Sequence, residues 1–481
     1  MTTTPFDYRL AGPNNAWALD QGLAEAPWWR PPIDDDRLTH LMQRSNGRAA
    51  RDTVLWLGLT VAFGVLVAVT WFSVWTIPLL AVYGALYGGA ADSRWHECGH
   101  GTAFKTGWLN DVVYYLASFM LWREPTLWRW THHRHHTDTI VMGRDAEIAF
   151  QRPPKAWRLP WVYLHLQGAL QMFWRMARHA TGRIDAEAQA VVPETERRRM
   201  IAEDRVFVAV VAAAAAACVV SGSLLPLVLV GLPTIYGGWL VVFFGITQHA
   251  GLQENVLDHR RNTRTVYMNP VFRFLYSNMN YHIEHHLFPG VPYHALPALH
   301  QEIKPYLPEP NPSILSAYRE LLGALKHQQR DPAWEIPNRQ IPEVPSATLT
   351  PIDTGPIIDH EVGDADSGQR GLSKADLGRL DALAVGQARR VEVGGKSLAL
   401  YRIAEDEVAV SDGICTHGHA LLAEGLVIDC TIECPRHNGR FDLRTGEPTR
   451  KPVTKPIAIY PVTVVDDRIV LDLSDLDHPA D

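Results

Sequence analysis

Apolar and polar positions divide the 481-residue chain into blocks. From Thr53 to Ala91 there is no Asp, Glu, Lys or Arg in 39 residues, and from Val206 to Gln253 there is none in 48. A bilayer-crossing helix needs about 20 apolar residues. Each run therefore has room for two crossings, with turns expected near Ser73–Pro78 and Ser221–Pro226. A buried helix of a soluble core explains one short apolar run, but not two of double length. The pattern predicts four transmembrane helices in two hairpins. Each hairpin returns the chain to the side it left, so the N-terminus, Asp92–Arg205 and everything after Glu254 share one face. Arg94–Arg205 carries 16 Lys and Arg, and the two hairpin turns carry none. The positive-inside rule places that face in the cytoplasm, and the expected location is a multi-pass inner (cytoplasmic) membrane. Val112–Trp122 and Trp157–Met176 are aromatic-rich and interrupted by charge, as interfacial segments are. The start, MTTTPFDYRL, lacks the basic and apolar regions of a signal peptide.

Beyond Leu325 the pattern changes. Pro332, Pro337, Pro342, Pro345, Pro351 and Pro356 punctuate a polar stretch, which reads as a semi-extended linker over 326–370. Short alternating runs follow at Arg390–Ile403, Val408–Val410 and Ile457–Leu473, with Gly turns between them. These predict a small all-β domain at 371–481. The chain is thus read as multi-domain: an α-helical membrane domain at 1–325, the linker, and the β domain.

The mean hydropathy of −0.10 and net charge of −7 exclude a disordered or strongly basic nucleic-acid-binding chain, but they average unlike blocks. Residues 1–325 hold 28 basic and 26 acidic side chains; residues 371–481 hold 13 and 18. Five Cys are too few for a disulfide scaffold. The informative excess is 22 His, since histidine is the commonest metal ligand.

The histidines cluster at span ends. His96-Glu97-Cys98-Gly99-His100 follows the second span, and its i, i+4 histidines share one helix face. Alone, that pattern is also the H-E-x-x-H of zinc proteases, with Glu97 as general base. His132-His133-Arg134-His135-His136 and His282-Ile283-Glu284-His285-His286 both fit H-x-x-H-H. His249 ends the fourth span. A lone histidine there is more often a hydrogen-bonding residue, but its depth is level with the clusters, so it counts as a ninth candidate. All lie on one predicted side, as convergence on metal requires. Nine imidazoles are too many for one four-coordinate zinc and suit two ions; imidazole itself accepts iron, copper, nickel or zinc. Asp92, Asp138, Asp145 and Glu284 are candidates to hold the second nitrogen of a ligand imidazole. His165, His179, His259, His294 and His300 read as surface or hydrogen-bonded residues.

From about Trp56 to His300 the chain resembles the membrane fatty-acid desaturase and hydroxylase family, with its HxxxH, HxxHH and HxxHH boxes. The likeness includes Asn280-Tyr281-His282-Ile283-Glu284-His285-His286-Leu287-Phe288-Pro289. The resemblance implies a helical membrane domain with two non-haem irons that activate O₂. It implies His96, His100, His132, His135, His136, His282, His285 and His286 as ligands, with His249 as the ninth. His133 offers the second box another register, and the HxxxHH spacing of the alkane-hydroxylase branch is not strictly followed.

In the C-terminal block, Cys415-Thr416-His417-Gly418 and Cys434-Pro435-Arg436-His437 each supply one Cys and one His. A Rieske [2Fe–2S] centre uses two thiolates on one iron and two imidazoles on the other. A zinc finger pairs its ligands differently. The stretch Cys434–Asp442 with Thr445-Gly446 resembles the Rieske ferredoxins of aromatic dioxygenase systems. Cys415, His417, Cys434 and His437 are the implied ligands. Cys430 has no obvious partner.

Together these features lead to an O₂-dependent oxidoreductase that hydroxylates or desaturates a lipid-like or alkyl substrate. Electrons would come from a separate NAD(P)H-dependent ferredoxin reductase through the Rieske cluster. Demethylation of a small methylated substrate, as in rhizopine-type oxygenases, is the alternative. An intramembrane zinc protease and an electron carrier without chemistry of its own are more remote, since neither needs both metal modules. No nucleic-acid partner is expected.

Overall fold

The computed structural model describes residues 6–10, 12–24, 28–337, 339–344, 374–417, 420–435, 439–472 and 476. His437, His419 and the 345–370 part of the expected linker lie outside the described residues. The chain forms two compact units. The first comprises 1–30, 43–287 and 291–344; the second holds 31–42, 288–290 and 345–481.

The first unit is helical. Its apolar runs begin with α1 (Asn46–Val69), capped by Ser45, whose hydroxyl accepts from Arg48 N–H. The return is not one regular helix. It consists of α2 (Thr76–Gly84), a π-helical turn at Ala85–Gly89 and α3 (Ala90–His100). Gly101, at φ +69°, ends α3 in the left-handed conformation that glycine adopts without penalty. Next come α4 (Gly107–Leu121), α5 (Pro125–Thr137) and α6 (Leu166–Ala180). The second apolar run is α7 (Glu194–Ser221), with Glu194 and Glu196 in its first turn and Gly222 after its end. Its return is broken into Leu225–Val230, Pro233–Gly237 and α8 (Trp239–His249).

Two helices, the one ending at Val69 and α7, are long and apolar enough to cross a membrane. That is half the number the sequence predicts. The returning segments carry the apolar composition of spans, but Pro233 and the glycines around it interrupt helix continuity. Their purpose is close packing. A Cβ on Gly237 would lie 2.0 Å from the Gly84 carbonyl oxygen, so the two returns touch backbone to backbone. In α1 and α7 only 22% and 17% of the apolar window is buried, and Val61, Val69, Val219 and Val220 are exposed. A soluble core helix would bury that stripe. A short α9 (His282–Leu287), wholly buried, and α10 (Ile314–Gln328) complete the elements that frame the site.

The second unit contains the all-β domain. β1 (Lys374–Arg379), β10 (Val462–Val465) and β11 (Arg468–Asp472) make one antiparallel sheet, in the order β1-β11-β10. β2 (Ala388–Val393), β3 (Lys396–Ala404), β4 (Glu407–Asp412) and β9 (Ile459–Tyr460) make a second, in chain order. β5 (Leu426–Ile428), β6 (Thr431–Glu433), β7 (Arg440–Asp442) and β8 (Pro448–Arg450) make a third. The alternating run Arg390–Ile403 is a hairpin. Gly394 and Gly395, both at positive φ, turn it, and Val391 pairs with Leu398. One core gathers Val391, Leu398, Leu400 and Val410; another packs Tyr401, Leu422, Ile432 and Phe441 around Cys415 and Cys434.

Candidate metal centres

Three helices and one span end deliver the nine histidines. α3 carries His96 and His100, α5 carries His132, His135 and His136, α9 carries His282, His285 and His286, and α8 ends on His249. Their ring nitrogens sort into two groups whose members lie within 4.8 Å of one another. The first holds His96, His100, His132, His136 and His285; the second holds His135, His249, His282 and His286. These are the nine histidines singled out in the sequence. His133, the alternative register of the second box, is in neither group.

Within each group the Nε2 atoms face one another. Separations are 2.9 Å for His96–His285, 3.0 Å for His100–His132 and 3.1 Å for His136–His285. In the second group His282 Nε2 lies 3.1 Å from both His249 Nε2 and His286 Nε2. Two ligands about 2.1 Å from one metal ion and at right angles to each other are about 3 Å apart. The spacing is that of imidazoles around a shared ion.

Several second nitrogens are held. His135 Nδ1 lies 2.8 Å from Asp145 Oδ2, which also accepts from the Ile140 backbone N–H. His132 Nδ1 lies 3.1 Å from Glu147 Oε1. His249 Nδ1–H donates to the Asn262 carbonyl at 2.8 Å, and His286 Nδ1 is 3.3 Å from the Thr139 hydroxyl. Such contacts fix the tautomer that turns the Nε2 lone pair inward. Burial and neighbouring imidazoles push His96, His136, His282, His285 and His286 well below the ordinary value, keeping the rings neutral and able to ligate. His135 differs: against burial, the Asp145 carboxylate pushes it up to about 9.

The acidic residues depart from the sequence expectation. Asp145 sits on a histidine as expected. Glu284 does not: it contacts His300 Nδ1 and accepts from the Thr265 hydroxyl at 2.5 Å. Asp92 pairs with Arg123, and Asp138 with Arg144. Glu147, which sequence reasoning missed, lies 15 residues past His132 with no periodicity to mark it. His179 and His300, read from sequence as surface or hydrogen-bonded residues, are hydrogen-bonded and fully buried against carboxylates. Glu97, the base of the protease reading, accepts from the Thr102 hydroxyl at 2.6 Å and the Tyr293 N–H at 3.1 Å. It lines a small cavity with Asp52, Arg94 and Tyr293. A different cavity, of about 350 Å³, opens on His96, His132, His135, His249 and His282. Asp92, Arg123, Glu147, Arg152, Gln248 and Glu254 also line it, beside Trp95, Trp128, Phe150, Val242 and Ile246.

In the β domain Cys415 follows β4 and Cys434 follows β6. Both are buried. Cys415 N–H donates to the Ala420 carbonyl at 2.8 Å and Cys434 N–H to the Gly439 carbonyl at 2.7 Å, closing two tight loops. His417 is half-buried in the first loop. Cys98, Cys218 and Cys430 are free thiols.

The fatty acid desaturase family model matches residues 69–318 and the Rieske [2Fe-2S] domain model matches 374–461. The chain belongs to the fatty acid desaturase family and carries a Rieske domain after the desaturase part. It is 38% identical over 97 residues to the anthranilate 1,2-dioxygenase ferredoxin subunit of Burkholderia cepacia, covering 20% of this chain and 89% of that protein. It is 43% identical over 100 residues to the ferredoxin component of the naphthalene 1,2-dioxygenase system of Pseudomonas aeruginosa, covering 20% of this chain and 95% of that one. Among solved structures, a Sphingomonas yanoikuyae B1 ferredoxin is 37% identical, covering 21% of this chain and 97% of that chain with a TM-score of 0.20. The family implies a di-iron site, and the Rieske domain a [2Fe–2S] cluster. The histidine groups, with ring nitrogens facing one another, are chemically fit for the irons. The two buried cysteines suit the sulfur side of the cluster. The chain is an oxidoreductase.

Proposed function

We propose that this protein is an O₂-dependent membrane di-iron oxygenase that hydroxylates or desaturates an unactivated C–H bond, with electrons from its own Rieske domain. The observation that carries this reading is the sorting of nine histidines, eight buried and His249 half-buried, into two ligand-like groups in a chain that also bears a Rieske domain. His96, His100, His132, His136 and His285 would hold one iron; His135, His249, His282 and His286 would hold the other. Cys415, His417, Cys434 and His437 would hold the cluster. The chemistry that the bound irons supply is O₂ activation and hydrogen abstraction, ending in hydroxylation or desaturation or, at a methyl ether or N-methyl carbon, in demethylation. For hydroxylation the balance is substrate, O₂, two electrons and two protons giving alcohol and water. The electrons come singly from a separate NAD(P)H-dependent ferredoxin reductase, and tethering the cluster raises its effective concentration.

The protein's own groups shape the rest. Asp145 and Glu147 orient His135 and His132. Trp95 and Trp128 wall the cavity and flank Arg123, whose guanidinium lies 4.3 Å and 4.9 Å from their ring centroids. The membrane arrangement is four crossings in two hairpins, with histidines and Rieske domain on the cytoplasmic face of the inner membrane. The exposed apolar faces of α1 and α7 support it.

The cavity also favours a second substrate reading. At about 350 Å³ it is near the lower end of small-molecule sites, about 300–1,000 Å³. Its charged lining suits a compact polar molecule better than a long alkyl chain. Oxidative demethylation of a small methylated substrate fits that lining. The deciding experiment supplies O₂, NADH and a surrogate reductase to the purified protein with alkyl and small methylated substrates in parallel. O₂-dependent product from either class supports the oxygenase, and the class that turns over decides between them. Product formed without O₂ would sink both readings.

A further inference from the structure

Outside the two histidine groups, the described residues contain one more cluster with metal-ligand geometry. Glu124, His179 and Asp204 each present a donor atom, and these atoms lie within 4.8 Å of one another. They come from three elements: the residue that precedes α5, the last turn of α6, and the second turn and beyond of α7. All three side chains are fully buried.

Each residue departs from what its position alone would ask of it. Glu124 is the N-cap of α5, yet its side chain does not cap that helix; Glu203 does so instead, accepting from Thr126 N–H at 3.0 Å. Glu124 turns inward, where Oε1 meets His179 Nδ1 and Oε2 accepts from Arg175 Nε–H at 2.8 Å. His179 Nε2 lies 3.1 Å from Asp185 Oδ2 and 3.2 Å from the Asp185 backbone nitrogen. The Asp185 backbone N–H donates to Nε2, which favours the tautomer with its proton on Nδ1; with an ion bound, the proton would sit on Nε2 and be donated to the Asp185 carboxylate, freeing the Nδ1 lone pair for the cluster. That is the carboxylate–histidine pairing that metal-ligating imidazoles use. Asp204 belongs to the buried stripe of α7 with Met200 and Phe207, and neither of its oxygens has a hydrogen-bond donor among the described residues. Its polar neighbour is another carboxylate, Glu124, which becomes a partner only with a proton between them. A buried carboxylate without donors is costly unless a cation faces it.

Charge counting gives the same result. Glu124, Asp185 and Asp204 bring three negative charges and Arg175 one positive charge. With His179 neutral, the remaining −2 matches one divalent ion; without one, against its burial, the Asp185 and Glu124 carboxylates push the His179 imidazole up to about 9, toward the protonated form. Without an ion, the cluster needs two added protons.

We propose that Glu124, His179 and Asp204 form a third, mononuclear site for a divalent first-row metal ion, of the Zn²⁺ or Mn²⁺ class, that clamps α5, α6 and α7 together. One imidazole and two carboxylates are a borderline-to-hard donor set suited to these ions. The site does not depend on the oxygenase reading: it is built from residues the two histidine groups do not use.

The test uses the intact purified protein. Elemental analysis should find one more metal ion per chain in wild type than in Asp204→Asn, with the histidine-bound iron and the Rieske EPR signal the same in both. Added Mn²⁺, followed by its EPR signal, should bind wild type with one more equivalent than Asp204→Asn or His179→Gln. Equal metal content and equal Mn²⁺ and Zn²⁺ uptake in all three would overturn the site and leave a proton-sharing carboxyl pair. Should the variants not fold, wild type alone decides. After chelator treatment that spares the histidine-bound iron, returning Zn²⁺ in weakly buffered solution should release about two protons per ion bound. No uptake beyond the iron sites would equally overturn the proposal.

Discussion

The two redox-metal regions of this molecule solve one problem with opposite architectures. The helical region collects nine imidazoles from residues as far apart as His96 and His286, and holds them in place with helix faces. The β region needs only two short loops, one after β4 and one after β6, each closed by a backbone hydrogen bond next to its cysteine. In the first, position comes from packing. The rings are buried, and carboxylates, a hydroxyl and a carbonyl fix several of their second nitrogens. In the second, position comes from the chain itself. Damage should therefore spread differently: loss of one helical ligand should leave an altered but folded cage, whereas loss of one loop thiolate should remove the cluster outright.

The largest effects test that independence. His285→Ala removes the imidazole whose Nε2 lies 2.9 Å from His96 and 3.1 Å from His136. Turnover should fall below detection, the histidine-bound iron should drop from about two per chain toward one, and the Rieske EPR signal should be unchanged. Retained turnover would remove His285 from the ligand set. Cys434→Ser should do the reverse, abolishing the Rieske signal while metal analysis still finds the histidine-bound iron. Coupled loss of both signals in either variant would mean that the regions are not independent.

How much of each region was legible from sequence follows from the same contrast. The Rieske residues are local in the chain, so C-x-H and C-x-x-H carried nearly all the information, and glycine turns marked the hairpins. The histidines of the two helical groups were legible as residue types at helical spacing beside span ends. Their sorting was not: His135 and His136 are neighbours in sequence yet fall in different groups, because successive helical residues project about 100° apart. The supporting groups were less legible still. Asp145 could be guessed by proximity, but Glu147 could not, and Glu284 looked well placed beside His285 while facing His300 instead. Two of the four expected spans do not stand out as long helices, because composition records apolarity and not helix continuity: the return after α1 passes through a π-helical turn and the return after α7 breaks at Pro233.

A smaller effect probes the packing side of the comparison. Glu147→Gln and Asp145→Asn keep the shape of each side chain and remove the charge that orients His132 and His135. Losing such support costs roughly 10- to 100-fold in metal affinity or activity. We expect iron retention under chelator challenge and turnover to fall by that order, with the Rieske signal intact. Asp145→Asn should be the more damaging, because Asp145 also ties down the Ile140 N–H and is fully buried. A loss as complete as that of His285→Ala would mean that these carboxylates bind metal directly.

The smallest effect concerns Glu97, which sits between nothing but structural partners. Burial pushes its carboxyl up to about 7, against the Thr102 and Tyr293 hydrogen bonds that favour the charge. An unfolded glutamate ionises near 4.5. Between those values the folded state binds the extra proton, so stability falls as pH rises from about 4.5 to 7 and then levels off. Glu97→Gln keeps an oxygen that can accept from Thr102 and Tyr293 and cannot ionise. It should abolish that part of the pH dependence and raise the thermal midpoint relative to wild type at pH 8, with little difference at pH 5. Iron content and turnover should stay within a few-fold of wild type. A hydrolase that uses Glu97 as general base would lose all activity in the same variant, so this substitution separates the two chemistries while barely touching the structure.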